Sequence, residues 1–289
     1  MSARGLVLAC VLAGCRSPGG APSAAVDLAD FHVGLNVPWL QYAHDFGTCA
    51  WGYDGISANS AAAVTQLERA SAAGAPVVRW FVFGDGRASP EFGDDGVVSG
   101  IEEQAIDDLE LLLDLADDAG VKVVPVLLDF TWFEPGEMQS GVQVGGRSGA
   151  VADAAGRDAL VGRAVAPLPD RVGDHPAVLA WDVINEPEWA LDAVGLSEMR
   201  ALVDTLTDAV HAGSDAPVTL GSANMLALTG LWLDADLNLL QFHYYAASPF
   251  DLIAEDIDPD RPIVVGELPL GGGVDVARTL DAVSAGGFA

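Results

Sequence analysis

Positive charge is what this sequence has least of. Thirteen Lys and Arg stand against 42 Asp and Glu, a formal net charge of −29, and Lys122 is the sole lysine. Phosphate binding needs clustered cations, so the balance argues against nucleic acid as a partner and against polyanionic substrates. A neutral substrate fits. Cysteine is as scarce. Of the three, Cys10 and Cys15 lie in the first residues and Cys49 stands alone, which leaves no internal disulfide and no cysteine metal cluster to expect. No Gly-x-Gly-x-x-Gly follows a strand and no Walker sequence occurs, so nucleotide binding gains no support. Solenoid-length repeats are missing as well. No cofactor or metal is expected, and oligomeric state is silent.

What is present begins with a leader. Arg4 precedes an apolar run, Leu6 to Ala13, too short to span a bilayer but suited to a signal-peptide core. It ends in Leu12-Ala13-Gly14-Cys15, which resembles a bacterial lipobox. By that resemblance residues 1–15 form a lipoprotein signal, with Cys15 lipidated as the first residue of the mature chain. Residues 16–30, rich in Ser, Pro, Gly and Ala, follow as a flexible tether. The expectation is an extracytoplasmic protein anchored to the cell envelope. An ordinary signal peptide that happens to carry a cysteine is the alternative.

From residue 31 to 289 short apolar runs alternate with helical patterns. The runs are His32–Pro38, Pro76–Phe83, Val121–Phe130, Ala177–Ile184, Pro217–Leu220, Leu237–Tyr245 and Pro262–Gly266. Most are apolar on both faces, as parallel strands under helices are. Ser60–Ala73 closes on Gly74, and Ser99-Gly-Ile-Glu102 reads as a capping box ahead of Ile106, Leu109, Leu113 and Ala116, with Gly120 as the stop. Further helical patterns cover about Ala150–Val165, Ser197–Ala212 and Val274–Ser284. Strand–helix alternation without a break in composition predicts a single α/β domain, a (β/α)8 TIM barrel. Seven strands are legible; the eighth is not, so the expected barrel lacks its eighth strand, with unpaired edges on the first and seventh.

In such barrels the site sits at the C-terminal ends of the strands. Those ends supply Asn36 with Trp39, Arg79 with Trp80, Asp129 with Trp132, Asn185 with Glu186, His243 with Tyr245, and Glu267. Polar groups beside tryptophans suit a neutral, hydroxyl-rich ligand such as a sugar. Glu186 and Glu267 are the candidate catalytic pair, because glycosidic cleavage needs one carboxyl to protonate the leaving oxygen and another to attack. No strand-end lysine for a Schiff base and no phosphate-binding glycine loop supports another barrel chemistry.

The pattern resembles the retaining (β/α)8 glycoside hydrolases of clan A, of the cellulase/mannanase-like family 5 type. Asn185-Glu186-Pro187 and Gly266-Glu267 carry the resemblance most strongly, over about Phe31 to Ala289. It implies Glu186 as general acid/base, Glu267 as nucleophile and Asn185 as the residue holding the sugar 2-hydroxyl. It also implies that Arg79 supports the nucleophile and that the tyrosine of His243-x-Tyr245 hydrogen-bonds it. Trp39 and Trp132 join these as expected substrate-binding residues. The implied reaction is double displacement on a β-glucan or β-mannan. The family's eighth-strand tryptophan has no counterpart here, which keeps open a non-catalytic glycan-binding surface lipoprotein.

Several residues have plainer readings. Arg79 is alternatively a partner for buried acids, and His243 a satisfied core histidine. Trp39, Trp51, Trp132 and Trp189 are alternatively rim packing. Asp182, Glu188 and the acids of Asp107–Asp118 read as solvated faces. Residues 131–149 form either a lid or a plain connection.

Overall fold

The computed structural model describes residues 26–52, 54–245, 250–269 and 274–289. Residues 1–15 and Cys15, and most of the tether, lie outside them. Seven parallel strands form one sheet in chain order, and we number them β1 (Leu35–Asn36), β2 (Val77–Phe81), β3 (Lys122–Asp129), β4 (Trp181–Asn185), β5 (Val218–Ser222), β6 (Leu240–His243) and β7 (Ile263–Glu267). Four lie within the apolar runs, and β4, β5 and β7 run one or two residues past the ends of theirs. Each crossover carries helix on the outside: α1 (Ser60–Ala72) before β2, α2 (Glu103–Ala119) before β3 and α3 (Leu196–Gly213) before β5, with α4 (Val276–Ala285) after β7. This is the (β/α)8 architecture with seven of its strands among the described residues. Between β1 and β7 no backbone ladder is present there. A side chain crosses instead: Asn36 Nδ2 donates to the Gly266 carbonyl at 2.8 Å.

Two layers of burial fix the barrel. Outside, Leu67, Leu109, Leu112, Leu113, Leu202 and Leu206 are fully buried helix residues, packed against strand residues such as Val78, Val123 and Val183. Inside, at the base, Val124, Ala180 and Leu239 form a separate small cluster with Val77 and Val264. Above that floor the interior turns polar, with Arg79, Asp182 and Gln241 all buried. Apolar below and polar above is what directs chemistry to the strand C-termini.

The helix boundaries follow local chemistry. Gly120 ends α2 at φ 70°, where a side chain would be strained. The expected capping box at Ser99–Glu102 does not form: Ser99 lies in a short antiparallel pair, Glu91–Phe92 with Val98–Gly100. Glu102 instead turns its carboxylate to the Thr48 N–H at 2.8 Å and hydroxyl at 2.7 Å. A tertiary partner has displaced the local one. The Ala150–Val165 pattern is likewise broken into a helix at Ala154–Leu160 and a wider π turn at Val161–Val165. Residues 131–149 are a connection with its own hairpin, Glu137–Gln139 paired with Val142–Val144. Its ends are tied down by Arg147 N–H to the Trp132 carbonyl and Gly146 N–H to the Glu134 carbonyl, both 2.8 Å.

Three expectations about acids are corrected here. Asp182 is fully buried inside the barrel, not solvated. Asp108 is fully buried too, accepting from the Gly47 and Ser57 N–H groups at 3.0 and 2.8 Å and so pinning the loop after β1 to α2. Glu188 accepts from Trp232 Nε1 at 2.5 Å and Ser222 Oγ at 2.6 Å, latching the loop after β4 to the elements after β5. In each case several N–H or O–H donors replace water around the carboxylate, which is what makes burial tolerable.

Candidate active site

The strand register sets the site. Asn36 pairs with Arg79 across β1–β2, Asp129 with Asn185 across β3–β4, and His243 with Glu267 across β6–β7. Polar strand ends therefore meet at one level around the barrel mouth.

Arg79 is the hub. Its Nη1 donates to Glu267 Oε1 at 2.9 Å and to Asn36 Oδ1 at 3.1 Å. Its Nη2 donates to Asn185 Oδ1 at 2.7 Å, and its Nε to Asp182 Oδ2 at 2.9 Å. Only an arginine fork reaches four acceptors on three further strands at once. Asn185 is held from both ends, since its Nδ2 donates to Asp129 Oδ2 at 2.7 Å. That fixes which end of the amide presents an N–H to the pocket.

His243 lies between the two glutamates. Its Nδ1 is 2.8 Å from Glu186 Oε1 and 3.7 Å from Glu267 Oε2. The Tyr245 hydroxyl donates to Glu267 Oε2. Residues 243 and 245 share a face because side chains two apart on an extended chain do. An oxygen of Glu186 and one of Glu267 lie within 4.8 Å of each other. Glu186 itself sits in the left-handed region at φ 47°, ψ 49°, a conformation that costs a non-glycine residue about 1–3 kcal/mol and is held here between β4 and Pro187.

The electrostatics differ among the acids. Burial pushes the Glu267 carboxyl up, but attraction to His243 and Arg79 and the hydrogen bonds from Tyr245 and Arg79 win, holding it below the usual carboxylate range. Asp129 goes the other way: burial raises it to about 6, although Thr131 and Asn185 hydrogen-bond it. Burial and the facing Glu267 raise the Tyr245 hydroxyl, so it remains a donor. Glu186, His243 and Glu267 are also the one trio among the described residues with ligand atoms close enough for a cation. The Arg79 guanidinium, already paired with Glu267, opposes a second positive charge there.

The expected aromatic residues part company. Trp39 is partly exposed at the rim, 4.2 Å from Tyr42 between ring centroids and edge-on to Phe81 at 5.9 Å. Trp132, expected to bind substrate, is fully buried among Phe83, Phe92 and Phe133 and is core; this corrects that expectation. The exposed tryptophan near the carboxylates is Trp189, whose Nε1 donates to Glu186 Oε2 at 3.0 Å. Its place three residues after Glu186 was the available signal. Asp182 and Gln241 are the other site-supporting residues that sequence reasoning missed.

Seven parallel strands, two facing carboxylates at their C-terminal ends and an arginine-braced acceptor network define a glycoside hydrolase of the (β/α)8 class. No protein-family model matches the sequence. A mannan endo-1,4-beta-mannosidase of Cryptopygus antarcticus is 24% identical over 290 residues, covering 82% of this chain and 72% of that protein. One from Mytilus edulis is 24% identical over 287 residues, 82% of this chain and 75% of that protein. The solved beta-1,4-mannanase of the sea hare Aplysia kurodai superposes with a TM-score of 0.74 at 23% identity, over 90% of this chain and 86% of that one. The chain is a glycosidase cleaving β-glycosidic bonds, similar in fold to the clan A, family 5 type.

Proposed function

We propose that the chain is a retaining β-1,4-mannanase in which Glu267 is the nucleophile and Glu186 the general acid/base. The observation that carries the mechanism is the spacing of the pair, with oxygens within 4.8 Å. Retaining enzymes hold their carboxyl groups about 5–5.5 Å apart, whereas inverting enzymes need about 6.5–9.5 Å to admit a water. The mannan substrate rests on the two mannan endo-1,4-beta-mannosidase relatives.

In the first step a Glu267 oxygen bonds to the anomeric carbon as the glycosidic C–O bond breaks, and Glu186 gives its proton to the leaving oxygen. In the second, Glu186 takes a proton from water, the water oxygen bonds to the anomeric carbon, and Glu267 leaves as carboxylate. Arg79 and Tyr245 aim N–H and O–H groups at Glu267 where its charge is lost and regained. The Asn185 N–H faces the sugar 2-hydroxyl, and Trp39 and Trp189 offer apolar faces at the rim. The leader reading goes with this: export and lipid anchoring at Cys15 put the site among extracellular polysaccharides.

Hydrolysis of β-mannan and β-glucan by wild type, Glu186→Ala and Glu267→Ala tests the reading. Loss of about 10³-fold or more in both variants is expected; with an activated aryl β-mannoside, azide should yield a β-glycosyl azide with Glu186→Ala and an α-glycosyl azide with Glu267→Ala. Equal turnover in all three contradicts it, and binding of mannan by a wild type that hydrolyses nothing favours the glycan-binding alternative.

A further inference from the structure

We infer that Asp182 is a positioning residue that keeps the buried Arg79 guanidinium charge-paired while Glu267 gives up its own charge to the covalent intermediate. The inference rests on reading Glu267 as the nucleophile. Arg79 and Asp182 are 5% and 0% exposed, and the salt-bridge distance between them is 2.9 Å. Of the four acceptors around Arg79, two are amides, Asn36 and Asn185, and two are carboxylates, Glu267 and Asp182. Glu267 is the one that reacts. Once its oxygen is bonded to the anomeric carbon it is an ester with no charge, and among the described residues Asp182 is then the only carboxylate in contact with Arg79. A buried cation stripped of its partner is strongly disfavoured. Asp182 removes that penalty from the intermediate.

The surroundings show that Asp182 is built into this position. Its Oδ2 also accepts from Gln241 Nε2 at 2.7 Å and its Oδ1 from the Gly221 N–H at 3.1 Å, so it acts only as an acceptor. Gly221 leaves the space: a Cβ there would lie 2.7 Å from Arg79 Nη2, 2.8 Å from Gln241 Nε2 and 3.2 Å from Asp182 Oδ2. Gly266 does the same for the Gln241 side chain, which a Cβ would meet at 2.7 Å. Strands β5 and β7, on either side of β6, thus forgo side chains to seat a pair almost wholly withdrawn from solvent. A bland core role would be served as well by apolar residues of the same volume, which often pack more stably than a buried ion pair.

Removing the Asp182 charge has a step-specific consequence. With only Glu267 left as counter-ion, Arg79 pulls harder on it. Glu267 becomes a weaker nucleophile and a better leaving group, so its glycosylation slows and its release does not. The substitution leaves the other titratable groups nearby, Asp129, Glu186 and His243, in place.

The experiment is phenol release from aryl β-mannosides of graded phenol acidity by wild type, Asp182→Asn and Asp182→Asn/Asn36→Asp. The double variant returns a carboxylate to another side of Arg79. Wild type is expected to give a stoichiometric burst with the most acidic phenol. In Asp182→Asn the burst vanishes, kcat falls about 10- to 100-fold and becomes dependent on the phenol, KM rises, and the acid limb of kcat/KM moves to lower pH. The double variant is expected to restore the burst to within about threefold. Displacement of Arg79 without an electrostatic role moves the acid limb to higher pH, and that result overturns the inference, as does an unchanged burst. If Asp182→Asn does not fold, the double variant decides: a folded protein with a burst supports the inference, and its failure overturns it. A wild type that releases no phenol refutes the hydrolase reading instead.

Discussion

Arg79 Nη1 lies 2.9 Å from Glu267 Oε1, a contact between residues 188 positions apart in the chain. It joins β2 to β7 across the mouth of the barrel, and the charge on each makes the other tolerable in a buried place. Arg79→Ala leaves Asp182 and Glu267 without their cation, so it should cost about 3–5 kcal/mol in a denaturant titration. Arg79→Lys keeps the charge but not the fork. It should fold and yet lose at least about 100-fold in kcat/KM, because one ammonium cannot hold Glu267, Asn185 and Asp182 together.

Tyr245 offers a cleaner probe of Glu267, because the residue is 54% exposed and little packing depends on it. Its hydroxyl is among the groups that hold the Glu267 carboxyl below its usual range. Tyr245→Phe removes that donor, the Glu267 pKa rises, and the acid limb of the kcat/KM profile should move to higher pH. Melting temperature should be unchanged and activity at the optimum about 10- to 100-fold lower. An acid limb that stays put means that the hydroxyl does not act on Glu267.

Asp129 carries a pH signature in stability. Its folded value, about 6, stands above the ordinary aspartate value of 3.8, so the folded state binds its proton more tightly than the unfolded state does. Stability from this group is present below the unfolded value and lost as pH rises to about 6, an effect of up to about 3 kcal/mol. In Asp129→Asn that loss disappears. The stability difference between pH 4 and pH 7, from urea titrations, should shift toward greater stability at pH 7 by an amount of that order.

The backbone at Glu186 makes a prediction of its own. Alanine keeps the strain of φ 47° and glycine does not. Glu186→Gly should therefore be more stable than Glu186→Ala by roughly 1 kcal/mol, while both are inactive. Equal stability would mean that the turn relaxes when the carboxylate is removed.

The two expected tryptophans separate by the same logic of burial. Trp132→Ala should cost about 3–5 kcal/mol of stability through the cavity it leaves. Trp39→Ala should fold normally and raise KM for polymer more than it lowers kcat. A stable Trp132→Ala would restore that residue as a candidate for the rim.

Much of this arrangement could be read from the chain because it depends on local patterns. Apolar runs ending in Asn185-Glu186-Pro187 and in Gly266-Glu267 mark strands and where they stop. Asp182 was opaque for a definite reason. With a strict period of two, Asp182 and Asn185 face opposite sides of a strand, yet both reach Arg79. The register between β4 and β5 shifts between these two residues, and that irregularity turns both inward. Trp132 misled because a tryptophan after a strand end looks the same whether the next loop folds over it or not, and here the Arg147–Trp132 hydrogen bond closes the loop on it. Glu102 looked like a cap because its tertiary partner, Thr48, is 54 positions away.

The central claim is that Glu186 and Glu267 act as a double-displacement pair, and the stereochemistry of the first-formed product tests it most directly. Proton NMR during hydrolysis of a β-1,4-manno-oligosaccharide resolves the anomers before mutarotation mixes them. The account predicts that the new reducing end appears first as the β-anomer. Initial appearance of the α-anomer, the outcome of a single displacement by water, would contradict it.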